Sequence, residues 1–144
     1  MHTSDSPIAD TAISPAAAVD RSAGRRWLGI GLWTALVVAL LAHFYGLYAP
    51  GEPGAVEWFP NSDKVLHFLG FAIPTSLAVL IARRWWPLAL FAAHAVISEI
   101  VQSVWLPGRD GDPLDALADL TGVLAAFGFC WFVRRPTVLR SAGE

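Results

Sequence analysis

"EIVQSVWLPGRDGDPLDALADL", residues 99–120, opens and closes in apolar sequence but packs Glu99, Gln102, Arg109, Asp110, Asp112, Asp115 and Asp119 between. Pro107-Gly108 is a strong helix breaker and turn former. Asp112-Pro113-Leu114-Asp115 then has the form of a new helix start. Asp112 suits the N-cap, Pro113 the first helical position, and Asp115 the positive end of the helix dipole. The stretch therefore reads as the end of one apolar helix, a short turn and the start of another. The polar residues are gathered at that reversal.

The rest of the chain has the composition of a membrane protein. Only 15% of its 144 residues are charged, where a soluble domain carries roughly a quarter. Apolar segments at about 27–48, 65–82, 85–105 and 114–133 each approach the roughly 20 residues needed to span a hydrocarbon core. Trp27, Trp58, Trp85, Trp86, Trp105 and Trp131 fall near their ends, the level an amphipathic ring prefers. Pro74 lies inside the second segment, where it removes a backbone hydrogen bond and frees a carbonyl. The expected fold is all-α, a bundle of four transmembrane helices. The single cysteine excludes a disulfide framework and a CxxC metal motif, and the net charge of −2 gives no reason to expect a nucleic-acid partner.

Basic residues set the expected orientation. Arg21, Arg25 and Arg26 precede the first span; Arg83 and Arg84 join the second and third; Arg134, Arg135 and Arg140 follow the fourth. By the positive-inside rule both termini are cytoplasmic, and the loops 49–62 and 106–112 face outward. Residues 1–24 read as a disordered cytoplasmic tail, 25–135 as the membrane domain and 136–144 as a short cytoplasmic tail. "GRRWLGIGLW", residues 24–33, resembles a twin-arginine signal, but the apolar run behind it is too long and further spans follow.

Depth along the helices then brings the intramembrane polar residues to one level near the outer surface. His43, His67, Glu99, Gln102, Asp115 and Asp119 all fall there, whereas the cytoplasmic half holds almost nothing ionisable. Asp63 and His67, Glu99 and Gln102, and Asp115 and Asp119 are spaced to share helix faces. Charged groups in hydrocarbon turn inward and find partners. The expectation is an outward-facing polar pocket that binds ligand through Lys64, His67, Glu99, Gln102, Arg109, Asp115 and Asp119. Arg109 is expected to fold back toward Glu99 or Asp115. His43 and His94 read as helix–helix hydrogen bonders, and Gly122 with Ala126 as a small-residue packing pair.

"DKVLHF" (63–68), "EIVQ" (99–102) and "PGRDGDPLDALADLTG" (107–122), in this order and at the outer ends of spans, resemble the VanZ-like family of small bacterial membrane proteins. The resemblance covers the chain from the first span to the fourth and rests on Asp63, Lys64, His67, Phe68, Glu99, Gln102, Arg109, Asp115 and Gly122. Phe71 stands where the family usually has tyrosine and Asp119 where it usually has asparagine, so roles needing that hydroxyl or neutral amide do not carry over. The resemblance implies a cell-envelope protein, with a link to resistance against the glycopeptide teicoplanin.

Three classes of function follow. The favoured one is binding or modification of an envelope component, such as an anionic lipid head group or a cell-wall precursor held at the pocket mouth by Lys64 and Arg109. The second is an intramembrane enzyme using Glu99, His67 and Asp115 as acid–base groups or as donors to a divalent ion. It lacks HExxH, GxSxG and a phosphate-binding glycine loop, and neither a resident metal nor another cofactor is expected. Transport, or a role as accessory subunit, ranks last, because transporters place polar sites near the midplane. Membrane lipids are the expected surroundings in every case.

Overall fold

The computed structural model describes residues 15–49, 58–108 and 111–135, with side chains from residue 23 onward. Arg109, Asp110, most of the 49–62 loop and the 136–144 tail lie outside the described residues. The described residues form four helices: α1 (Pro15–Tyr48), α2 (Ser62–Ala82), α3 (Trp86–Trp105) and α4 (Pro113–Arg134). Among the described residues there is no strand. The segments Ala23–Tyr48, Ser62–Ala82, Trp86–Trp105 and Pro113–Arg134 are each long and apolar enough to cross a membrane. Each expected boundary is met within about one helical turn.

The chain divides into two compact units, Met1–Gly31 and Leu32–Glu144. In the first, α1 begins at Pro15, inside the stretch read as an irregular tail. Proline fits a first helical turn, and Ala16, Ala17 and Ala18 carry the highest helix propensity of any residue, so residues 15–24 are helical. The stretch lacks apolar periodicity, which is why pattern alone missed it.

The second unit is apolar outside. Leu66, Ile73, Leu90, Ile97, Ile100, Val104, Leu117, Leu124, Phe129 and Phe132 are all exposed. The interior holds Phe71, Val79, Ala95, Val123, Ala126 and Cys130 beside the buried polar residues His43, Thr75, Ser98, Glu99, Gln102, Asp115 and Asp119. A surface of this kind is stable against lipid and not against water. In lipid, apolar side chains gain little by leaving the solvent for one another. Helix association then depends on close packing at small residues and on polar contacts.

Both devices are present between α2 and α4. A Cβ on Gly122 would stand 2.4 Å from the carbonyl oxygen of Phe68 and 3.1 Å from the amide nitrogen of Ala72. The two backbones therefore meet at that glycine. Contacts at either side of it keep a similar offset in sequence, 52 and 54 residues: His67 meets Asp119, and the Cys130 thiol lies 3.7 Å from the Ser76 carbonyl. The helices run in the same direction, with α3 returning between them in sequence. Pro74 is accommodated within an unbroken α2. Its missing N–H would have met the Gly70 carbonyl, and His43 Nδ1 lies against Gly70, 3.7 Å from the site of a Cβ.

The two ends differ. At one, Arg134 sits over the Trp85 ring at 4.8 Å and Arg135 over Trp131 at 5.4 Å, a cation–π pairing suited to a membrane interface. The acids and His67 collect at the other.

Candidate functional site

The site is built where α2 and α4 begin and α3 ends. Asn61 adopts a left-handed conformation (φ 62°) and turns the chain into α2, whose first turn carries Asp63 and Lys64. Asp112 caps α4 as expected, its Oδ1 accepting from the Leu114 amide at 2.9 Å. Its other oxygen, Oδ2, accepts from Lys64 Nζ at 2.7 Å. The cap residue is therefore also part of the charged cluster. Lys64 is a first-turn neighbour of α4 because the parallel packing of α2 and α4 brings the two helix starts side by side.

Three carboxylates surround the Lys64 ammonium: Asp63 at 2.8 Å, Asp112 at 2.7 Å and Asp115 at 2.7 Å. Lys64 is expected at a pocket mouth, holding an anionic group of the ligand. Its charge is engaged by these acids, and a phosphate arriving there would face three carboxylates. Asp112, which lies outside the spans, has its pKa lowered, first by the hydrogen bond from Lys64 and then by that from the Leu114 amide.

One turn deeper, His67 Nδ1 and Asp119 Oδ1 share a hydrogen bond at 3.0 Å, and His67 Nε2 lies 3.8 Å from Asp115 Oδ2. Asp119 is fully buried. A carboxylate in that position fits the spacing argument for Asp115 and Asp119, which occupy one face of α4 and bracket the imidazole ring between them.

Glu99 joins the same group from α3. The Asp112 amide donates to Glu99 Oε2 at 3.0 Å. Gly108 (φ 75°) turns the chain after α3, and Gly111 is pressed against it: a Cβ there would lie 2.8 Å from the Glu99 carbonyl oxygen and 2.9 Å from Ser103 Cβ. Only glycine lets the loop lie flat enough for the Asp112 amide to reach the carboxylate. The expected partner, Arg109, is outside the described residues. The backbone contact carried no sequence signal except the glycine itself.

One expectation changes here. Gln102 is buried but turns away from the acids; its Nε2 donates to the Leu47 carbonyl at 3.1 Å. That carbonyl is in the last turn of α1 and lacks an intrahelical partner, so Gln102 fastens the end of α1 to α3. His43 lies against the Gly70 backbone of α2, as expected of a residue that joins helix to helix. Its ring packs edge-on against Phe71 at 4.6 Å and lies 5.2 Å from the His94 ring.

The polar residues thus form a packed cluster drawn from α2, α3 and α4, with His67, Glu99, Asp115 and Asp119 together and Lys64 at its outer edge. Beside it, between α2 and α4, lies an open groove of about 390 Å³ lined by Asn61, Lys64, Phe68, Leu114, Leu117, Ala118 and Thr121. Its walls are mostly apolar and its charged edge is Lys64. Comparison with family models, with curated proteins and with solved structures finds no match to this chain.

Proposed function

We propose that this is a multi-pass protein of the bacterial cell membrane, related to the VanZ-like proteins it resembles, that binds a lipid-borne component of the envelope. In this reading the termini are cytoplasmic and the acidic cluster faces outward. The acyl part of the ligand lies in the groove between α2 and α4, and its head group meets the network of Lys64, Asp63, Asp112 and Asp115. The observation that carries this is the groove itself: apolar walls suited to a hydrocarbon chain end at a charged network at head-group level. Acids outnumber the one lysine there, so the head group is recognised through hydroxyl or amine donors more than through a phosphate. A link to glycopeptide resistance would follow if that component is a cell-wall precursor.

Mass spectrometry of lipids extracted from purified protein tests it. The wild type should carry one lipid class enriched over the bulk membrane, and Leu117→Trp, which fills the groove without touching the ion pairs, should lose it. Bulk composition in both would sink the proposal.

One observation favours a second reading, an intramembrane acid–base enzyme. His67 and Asp119 form a close imidazole–carboxylate pair, the arrangement that orients a histidine for proton transfer. Turnover of a labelled envelope lipid by the wild type and not by His67→Gln would support it.

A further inference from the structure

One group of atoms in the cluster is left unexplained by lipid binding. His67 from α2, Glu99 from α3 and Asp119 from α4 each offer one ligand-type atom, and these atoms all lie within 4.8 Å of one another. Asp119 has no exposed surface, yet its Oδ2 has no hydrogen-bond partner; Glu99 is 8% exposed, and its Oε1 has none either. Bare carboxylate oxygens at this depth are costly, and in folded proteins they point to a proton or a cation.

We infer that His67, Glu99 and Asp119 bind one first-row divalent metal ion, bridging three helices. The donor set decides the class of ion. One imidazole nitrogen and two carboxylate oxygens suit Zn²⁺, Co²⁺ or Mn²⁺, whereas the lack of thiolate disfavours Cu⁺ and the imidazole disfavours Ca²⁺ and Mg²⁺. Spacing agrees. Metal–ligand bonds of about 2.1 Å set neighbouring ligand atoms about 3.0–3.4 Å apart, and His67 Nδ1 to Asp119 Oδ1 is 3.0 Å. Rotation about the terminal torsion of Glu99, which is soft, brings its oxygen to the same range.

The surroundings match those of a metal ligand set. Metal-bound carboxylates and imidazoles are held by outer hydrogen bonds that fix their orientation. Glu99 Oε2 is held by the Asp112 amide, and Asp115, itself paired with Lys64, stands 3.8 Å from His67 Nε2. Charge points the same way. Among the described residues, Asp63, Glu99, Asp112, Asp115 and Asp119 are faced by the one lysine Lys64, by His67 and, at Asp119, by His94. A doubly charged ion offsets part of that excess at the buried carboxylates of Glu99 and Asp119. The site is independent of the lipid groove, and its test does not require a lipid.

Full-length protein, stripped with chelator and freed of any affinity tag, is titrated with Zn²⁺ alone and measured by elemental analysis and calorimetry. One equivalent should bind, and His67→Ala, Glu99→Gln and Asp119→Asn should each weaken binding at least tenfold. Ser76→Ala, farther along α2 and away from the acids, should bind as the wild type does. X-ray absorption at the zinc edge of the wild type should give a nitrogen and oxygen shell containing one imidazole, which keeps the proposal testable if a variant does not fold. Binding below one equivalent, a sulfur ligand, or unchanged affinity in the triad variants would overturn it.

Discussion

Gly122 packs so closely on the carbonyl oxygen of Phe68 that a Cβ there would overlap it, which makes this glycine the point where α2 and α4 are in backbone contact. The contact also fixes the offset that carries His67 to Asp119. Gly122→Ala should destabilise the bundle by about 1–3 kcal/mol, as overpacking does, and the gain in helix propensity of about 1 kcal/mol does not offset a clash with backbone. Reversible unfolding in mixed micelles measures it. Stability at or above the wild-type level would show that the helices part at no cost and that the crossing is not tight.

His67 and Asp119 should prove energetically coupled. Removing one partner of a buried pair costs about 3–5 kcal/mol, because the other is stranded. His67→Gln and Asp119→Asn should each be destabilising in metal-free protein, and the double variant should recover most of the loss. A double-mutant cycle gives the coupling directly. Strictly additive effects would mean the 3.0 Å contact contributes nothing of its own.

Gln102→Leu keeps the side chain's size but removes the donor to the Leu47 carbonyl. An orphaned buried acceptor costs about 1–3 kcal/mol, and here the cost falls on the last turn of α1. Hydrogen exchange by mass spectrometry should show residues 44–49 exchanging faster while α2 and α4 keep their protection. Unchanged exchange would place the attachment of α1 elsewhere, in the His43, Phe71 and Phe91 packing.

Asp112 should make stability depend on acidity. Its pKa in the folded protein is lowered, chiefly by the Lys64 hydrogen bond. A lowered folded-state pKa stabilises fully above the unfolded value of about 3.9 and is lost as pH falls through the folded value. Wild-type protein should therefore lose stability from about pH 4 downward, and Asp112→Asn should flatten that part of the profile. Parallel profiles for the two proteins would remove Asp112 as the cause.

Orientation is open to chemical labelling in a Cys130→Ala background. Trp58 is highly exposed next to the acidic end and Arg84 is exposed in the opposite turn. Trp58→Cys should react with an impermeant thiol reagent in intact cells, and Arg84→Cys only after permeabilisation. Gly111 is a poor choice, because any Cβ there collides with α3. The reverse pattern would turn the acidic cluster to the cytoplasm and end the envelope reading.

The amino-acid sequence by itself determined the four spans, the cap at Asp112, the tryptophans at the span ends and the gathering of acids at one level. Each of these rests on local physics: an apolar run of sufficient length, a cap residue before a proline, an axial rise that converts position to depth. Tertiary structure alone decided which polar atoms meet. Lys64 is consumed by three aspartates, Gln102 serves the end of α1, and Glu99 takes a backbone amide in a contact that Gly111 makes room for. Such pairings depend on the offset between helices far apart in sequence, and that offset is set by one close crossing at Gly122. A hydropathy pattern reports how each helix faces lipid. It does not report how far one helix is slid along another, and a shift of one turn, about 5.4 Å, would give His67 a different partner.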